Sequence, residues 1–320
     1  MVKLDKKDLQ ILHELDIDSR QPNSVIARKV KLSEQVVGYR IKRMSEQGII
    51  KKFIAILNPS RLGYTHYKIF LRFQNISVEE EKKFVSYLVN HPSAFWVASS
   101  RGRYDLVFSI YAKNIHEFSD KYNEISNLYG KFVLEKDVAI VASGASFTRH
   151  YFSQNSTLEE LPYGGEFEPV KLDKEDESIL SLLSNDARIS LLDLSEKLKL
   201  SPDAVSYRIK NLKKKEVITG FRILIDFNLL DRAYYMVLFN LQNVINEKHT
   251  SFKHFAKSHK VLYFINCIGP HDLEFEMEVK NDEELNIILR EFRDEFRAEL
   301  KNYETLKIVE EHKLNFYPFK

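Results

Sequence analysis

Lys3-Leu4-Asp5-Lys6-Lys7-Asp8 recurs as Lys171-Leu172-Asp173-Lys174-Glu175-Asp176. At the same offset Leu32-Ser33 returns as Leu200-Ser201, and Tyr39-Arg40-Ile41-Lys42 as Tyr207-Arg208-Ile209-Lys210. Gln74-Asn75 returns as Gln242-Asn243. Roughly a third of the positions from Lys3 to Asn75 are identical in the later stretch, so the chain is a duplication. After one deleted residue the match continues more weakly, with Gly102-x-x-Asp105 against Gly269-x-x-Asp272 and Asn114 against Asn281.

The first part of each copy reads as three short helices. Asp5 can cap a helix carrying Leu9, Ile11, Leu12 and Leu15 at helical spacing. A second helix follows Ser24 with Val25, Ile26, Ala27 and Val30, and Lys31-Leu32-Ser33 is a tight connection. Ser33 can cap a third helix, residues 34–47, that buries Val37, Ile41 and Met44 and ends at Gly48. Copy 2 repeats the pattern with Ile179, Leu182 and Leu183, then Leu191, Leu194 and Leu198, then Val205, Ile209 and Leu212. Three helices with a short turn before the last form the helix-turn-helix pattern.

The second part of each copy reads strand, helix, strand, strand, helix, strand. In copy 1 the segments are 67–73, 78–91, 95–99, 106–111, 115–130 and 133–141. In copy 2 they are 236–241, 250–258, 261–268, 273–279, 282–300 and 305–309. This order gives a ferredoxin-like βαββαβ plan. The fold class expected is therefore α+β, with helix-turn-helix domains at 1–60 and 171–229 and ferredoxin-like domains at 61–148 and 230–320. Residues 149–170, with Ser153-Gln154-Asn155-Ser156-Thr157 and Pro162-Tyr163-Gly164-Gly165, read as a linker.

Composition narrows the classes. Charged residues are 29% and hydrophobic residues 44%, which is globular and excludes wholesale disorder. The single cysteine excludes a disulfide framework and a cysteine-rich zinc site. No His-Glu-x-x-His, paired-cysteine, phosphate-loop or nucleophile-elbow pattern appears, so neither a metal nor a cofactor is expected. The charged N-terminus lacks an apolar core and the longest apolar runs are short, so a cytoplasmic, non-membrane protein is expected.

A helix-turn-helix lays its last helix in the major groove of double-stranded DNA. Candidate contacts in copy 1 are Ser33, Gln35, Val36, Tyr39, Arg40, Lys42 and Arg43, with Arg28 and Lys31 alongside. In copy 2 they are Ser201, Asp203, Ser206, Tyr207, Arg208, Lys210 and Lys214. Tyr39 and Tyr207 read as phosphate or base contacts, or as packing against the neighbouring helix. From Met1 to Arg61 there are 13 basic and 7 acidic residues, net +6; from Pro169 to Leu229 there are 11 and 10, net +1. Copy 1 should grip a polyanion more strongly.

The joint pattern carries a resemblance. It consists of Leu4-Asp5-x-x-Asp8-x-x-Ile11-Leu12, Leu32-Ser33, Val37 and Arg40-Ile41, with Asp18-x-Arg20 between. Copy 2 repeats it as Leu172-Asp173, Asp176, Ile179-Leu180, Asp186-x-Arg188, Leu200-Ser201, Val205 and Arg208-Ile209. This resembles the leucine-responsive regulatory protein (Lrp/AsnC) family of prokaryotic transcription regulators, over nearly the whole chain and twice. The resemblance implies a regulator rather than an enzyme. It also implies a small-molecule effector, often an amino acid, bound near the hairpin between the second and third strands. The matching residues are Ser99, Ser100, Gly102 and Asp105, and Gly269 and Asp272 in copy 2, where Pro270-His271 departs from the pattern. Glycine would let backbone N–H groups approach a carboxylate and aspartate would pair an ammonium. The same residues also read as a plain hairpin turn. Members of the family normally hold one unit per chain, so the tandem chain implies an intramolecular pseudo-dimer through its sheets, with homo-oligomers of such pairs as a further option.

Two rival readings stand beside it. Some proteins similar to the family decarboxylate sirohaem with two such units, which would call on His66, His91, Arg101, Arg103, His259 or His271. The other is a metabolite-binding protein that no longer binds DNA.

Overall fold

The computed structural model describes residues 4–153, 158–243 and 246–317, without the side chains of residues 246 and 247. Of the linker residues, 154–157 lie outside the described residues. The chain divides into two compact units that do not follow the order of the sequence. One gathers residues 1–58, 147–161 and 170–232; the other gathers 59–146, 162–169 and 233–320. Like therefore joins like. Both helix-turn-helix domains share the first unit and both ferredoxin-like domains share the second.

In the first unit, copy 1 contributes α1 (Lys6–Ile17), α2 (Asn23–Val30) and α3 (Glu34–Glu46), followed by strand β1 (Ile50–Leu57). Asp5 accepts from Asp8 N and Ser33 from Val36 N, as helix N-caps do. The second helix begins before Ser24, with Pro22 at its N-cap. Ile11, Leu12, Leu15, Ile26, Val30, Val37, Ile41 and Met44 form the core of the domain. Copy 2 matches with α6 (Lys174–Asn185), α7 (Leu191–Leu198), α8 (Pro202–Lys214) and β7 (Ile218–Ile225). Leu194 is buried there, but Leu191 lies 37% exposed.

The strands β1 and β7 pair antiparallel with each other, Phe53 opposite Ile223 and Ala55 opposite Phe221. Sequence patterning did not anticipate them as strands. Each has its only ladder partner, among the described residues, in the other copy. The turn after the first helix reinforces this join reciprocally. Ser19 N donates to Phe221 O, and Ala187 N to Phe53 O. Arg20 Nη1 donates to Ala187 O and Ile189 O, and Arg188 Nη1 to Ser19 O and Gln21 O. Asp18 and Asp186 each accept the backbone N–H two residues on, which fixes the turn presenting the arginine.

In the second unit copy 1 supplies β2 (Thr65–Phe73), α4 (Val78–Asn90), β3 (Ala94–Arg101), β4 (Leu106–Ala112), α5 (Ile115–Tyr129) and β5 (Val133–Phe147). The connector adds β6 (Glu160–Gly164) beside β5, so part of what reads as linker is strand. Copy 2 supplies β8 (Ala233–Leu241), α9 (Asn246–Ser258), β9 (Tyr263–Ile268), β10 (Leu273–Val279), α10 (Asp282–Glu295) and β11 (Leu300–Leu314). The helix expected to run to residue 300 stops at Glu295, and the last strand is longer than expected at both ends.

The strands follow the order β2-β4-β3-β11-β8-β10-β9-β5-β6, and β5 also pairs with β2. The ring from β2 to β5 is therefore closed. Two seams join the copies: β3 with β11, and β5 with β9. One sheet face packs on helices, as with Tyr67, Ile69, Leu71, Phe108 and Ile110 against Phe84, Leu88, Phe118 and Ile125. In copy 2 the equivalent layer is aromatic, with Phe239, Phe275 and Phe292 in mutual ring contact. The other face looks inward, and it too is buried. His66, Lys68 and Phe70 alternate with the helix-facing residues of β2, and all are at most 6% exposed.

The hairpin glycines sit on the opposite copy's last strand. Gly102 has φ +139°, and a Cβ there would lie 2.9 Å from Leu306 Cδ2 and from Thr305 O. Gly269 has φ +141°, and its Cβ would lie 2.6 Å from Val138 O. Gly102→Ala and Gly269→Ala should each lower unfolding stability by about 2 kcal/mol or more. Gly269→Ala should be worse, because its nearest neighbours are backbone atoms. Urea unfolding of the full chain measures both, and unchanged midpoints would refute the close approach.

Candidate functional site

The recognition helices α3 and α8 are each presented by a clamp onto the first helix of their own domain. Arg40 Nη1 lies 2.7 Å from Asp5 Oδ2 and 2.8 Å from Asp8 Oδ1, and Arg43 Nη2 lies 2.6 Å from Asp8 Oδ1. In copy 2, Arg208 Nη1 lies 2.7 Å from Asp173 Oδ2 and 2.8 Å from Asp176 Oδ1. The bonds to Arg40 and Arg208 hold Asp5 and Asp173 below the usual carboxylate range, Asp173 chiefly through Asp176 N–H. These arginines were expected to face phosphates. The structure commits them to helix–helix fixation instead, because the helix N-terminus beside them already carries a pair of aspartates. Ser33 and Ser201 are likewise occupied as caps.

What stays outward is a different set. Tyr39 is 66% exposed and Tyr207 71%, at equivalent positions, so neither packs against the neighbouring helix. Gln35, Val36 and Lys42 are exposed on α3, with Arg28 and Lys31 before it. On α8, Asp203, Lys210 and Lys214 are exposed and Ser206 is half-buried. Two large aromatics held out in water on matched helix faces, among cations, suit stacking and phosphate contact with a duplex.

In the second unit a cavity of about 590 Å³ opens at the copy 1 hairpin, lined among others by Gln74, Asn75, Ser99, Ser100, Arg101 and Asp105. Three expected effector residues meet there: Ser99, Ser100 and Asp105. Gly102 is not among the lining residues; its task is the close approach to β11. Asp105 Oδ2 accepts from Phe73 N at 2.7 Å, and Asp272 Oδ2 from Leu241 N at 2.7 Å. Both carboxylates therefore close their hairpins. Gln74, Asn75 and Arg101 join this set, Gln74-Asn75 being the pair that recurs in copy 2 as Gln242-Asn243.

These placements meet their match in known proteins. The AsnC-type helix-turn-helix domain family matches residues 4–45, and the winged helix-turn-helix DNA-binding family matches residues 172–219. The HTH-type transcriptional regulator FL11 of Pyrococcus furiosus is 35% identical over 129 residues, 40% of this chain and 83% of that protein. The chain belongs to the Lrp/AsnC family of DNA-binding transcription regulators. FL11 of Pyrococcus abyssi is 34% identical over 131 residues, again 40% of this chain and 84% of that protein. This regulator thus carries in one chain what those relatives match with less than half of it. The crystal structure of the siroheme decarboxylase NirDL superimposes with a TM-score of 0.62 at 17% identity, covering 98% of this chain and 94% of that one. That likeness is of fold alone. The regulator has no helix, among the described residues, long and apolar enough to cross a membrane.

The interior of the ring holds a charge cluster that the sequence did not reveal. Lys68 Nζ of β2 lies 2.5 Å from Glu274 Oε1 and 2.9 Å from Glu276 Oε1 of β10. The Tyr234 hydroxyl donates to Glu276, and Lys68 sits 5.1 Å from the Trp96 ring centroid. Burial works to raise both carboxyls. Lys68 outweighs it at Glu274, which falls below its usual range, whereas Glu276 is pushed up to about 8. Two carboxylates share one ammonium, which favours the charged form of Glu274 and leaves Glu276 the more readily protonated of the two. Two histidines of the decarboxylase reading, His66 and His259, are otherwise engaged. Burial drives His66 well below its usual value, and it bonds Ser109 and Tyr163; His259 stacks on Phe255 at 3.6 Å.

The clamp separates fold from function. Arg40→Ala should cost about 1–2 kcal/mol of stability, since Asp8 is buried and loses a charged partner. Asp5 and Asp173, with lowered folded values, contribute stability that is present above the usual carboxylate range and lost as pH falls through it. Asp5→Asn with Asp173→Asn should therefore flatten acid unfolding below about pH 4. Circular dichroism against pH reads this, and an unchanged acid limb would dismiss the clamp.

Proposed function

We propose that the regulator reads an asymmetric DNA site with two unlike recognition helices, acting in the cytoplasm under the control of a small amino-acid-like ligand. The observation that carries the DNA reading is the exposure of Tyr39 and Tyr207 at matched positions, with Gln35, Lys42, Arg28 and Lys31 around the first and Ser206, Lys210 and Lys214 around the second. Joining the two helix-turn-helix domains through β1 and β7 supports an intramolecular pair as the reading unit. The net charges of +6 and +1 favour copy 1 as the dominant half.

Fluorescence anisotropy on selected genomic fragments tests this. Affinity should fall steeply with salt, because phosphate contacts release counterions. Tyr39→Ala should weaken binding about 10-fold or more and Tyr207→Ala less, while Lys42→Ala weakens all sequences alike and Gln35→Ala alters sequence preference. Equal losses at both tyrosines, together with a palindromic footprint from a single chain, would overturn the asymmetric reading.

For the ligand, the cavity beside Ser99, Ser100, Arg101 and Asp105 supports a zwitterion, with Arg101 on the carboxylate and the acidic lining residues Glu81 and Glu310 near the ammonium. A thermal-shift screen of the common amino acids should return at least one stabiliser whose effect Arg101→Ala abolishes. A stabiliser that keeps its effect in that variant would move the site elsewhere.

A further inference from the structure

We propose that Cys267, His271 and Glu274 form a binding site for one borderline-soft divalent cation of the zinc class. Cys267 lies near the end of β9, His271 in the turn and Glu274 on β10, so one hairpin supplies all three. The turn is closed by Cys267 N donating to Asp272 O. One ligand atom from each residue lies within 4.8 Å of the other two, and among the described residues this is the one such group of three or more. All are buried, at 7%, 2% and 0% exposure in chain order.

The second observation is a pair of orphaned atoms. His271 Nε2 and Glu274 Oε2 stand 3.4 Å apart, and among the described residues neither has a hydrogen-bond partner. The two atoms face each other at ion-pair distance but make no hydrogen bond, and a cation held between them would satisfy both. The surroundings are built to hold them. Glu274 offers its other oxygen to Lys68, which fixes the carboxylate from outside the site. The His271 ring is held edge-on by Phe70 at 5.4 Å.

The donor set of sulfur, nitrogen and oxygen selects a zinc-like ion over magnesium or calcium, which prefer oxygen alone. Bond lengths of about 2.0–2.3 Å place neighbouring ligand atoms roughly 3.5 Å apart, a spacing His271 Nε2 and Glu274 Oε2 already have at 3.4 Å, so any closure on binding falls to Cys267. Cys267 binds as thiolate and its proton passes to water, with no change of oxidation state. One coordination position is left for water or a small donor. Copy 1 has Ser100, Tyr104 and Val107 at the matching positions, so the site belongs to copy 2 alone.

The sequence holds a single cysteine, which makes the test direct. The metal-free full chain is titrated with cobalt(II) chloride and then with zinc(II). One cobalt per chain should bind with a sulfur-to-cobalt charge-transfer band in the near ultraviolet, which zinc abolishes. Cys267→Ser should lose the band, and His271→Gln should weaken cobalt binding about tenfold or more. Absence of the band in the folded wild-type chain overturns the site. So does a band of equal strength in His271→Gln and Glu274→Gln, which marks capture by an isolated thiol. The wild-type spectrum decides the matter even where a variant fails to fold.

Discussion

The inward faces of the two ferredoxin-like domains must cover each other, and their charges are complementary. Copy 1 places Lys68 on its inner face and copy 2 places Glu274 and Glu276 there. At the equivalent positions copy 2 has Met236, while copy 1 has Val107 and Ser109. Pairing two copies of the first kind would bury ammonium groups without carboxylates. Pairing two of the second would bury carboxylates without a cation. Either costs several kcal/mol, since an uncompensated buried ion is far more expensive than a paired one. The duplication has diverged so that only unlike halves fit.

The same logic runs along the seams. Gly102 and Gly269, with almost equal φ, admit β11 and β5 against hairpins of the other copy. Asp105 and Asp272 fasten the base of each hairpin to the strand beside it. A motif that reads as ligand chemistry is spent first on holding two sheets in one ring, and the cavity at Ser99, Ser100 and Arg101 lies beside this join.

What could be read in the sequence was what is local. Caps at Asp5 and Ser33 and the core positions Ile11, Leu12, Val37 and Ile41 are set by neighbours within a few turns. The βαββαβ order followed from strand and helix periodicity. The rest depended on distant partners. Leu273-Glu274-Phe275-Glu276-Met277-Glu278-Val279 alternates as a half-exposed strand does, yet all seven residues are buried because the second sheet covers the polar face. The strands β1 and β7 have mutual partners far apart in sequence, so nothing near either signals pairing. Arg40 and Arg208 looked like phosphate contacts because helix spacing cannot show that Asp5, Asp8, Asp173 and Asp176 fold back to meet them. Tyr39 and Tyr207 were legible as candidates, but only their exposure separates an outward role from packing.

This division leaves the outer surfaces of the two recognition helices free to differ. Most of the residues that hold each recognition helix are the same in both copies: Asp5, Asp8 and Arg40 match Asp173, Asp176 and Arg208, although Asn211 stands where copy 1 has Arg43, and Arg20 and Arg188 match at the join. Those that face outward differ, with Gln35 and Val36 against Asp203 and Ala204, around a tyrosine that is common to both. A pair of identical chains must change both recognition helices with every substitution. Here the clamp and the β1–β7 join fix each helix independently of its outer surface, so either surface is free to change alone while the frame that presents it stays the same.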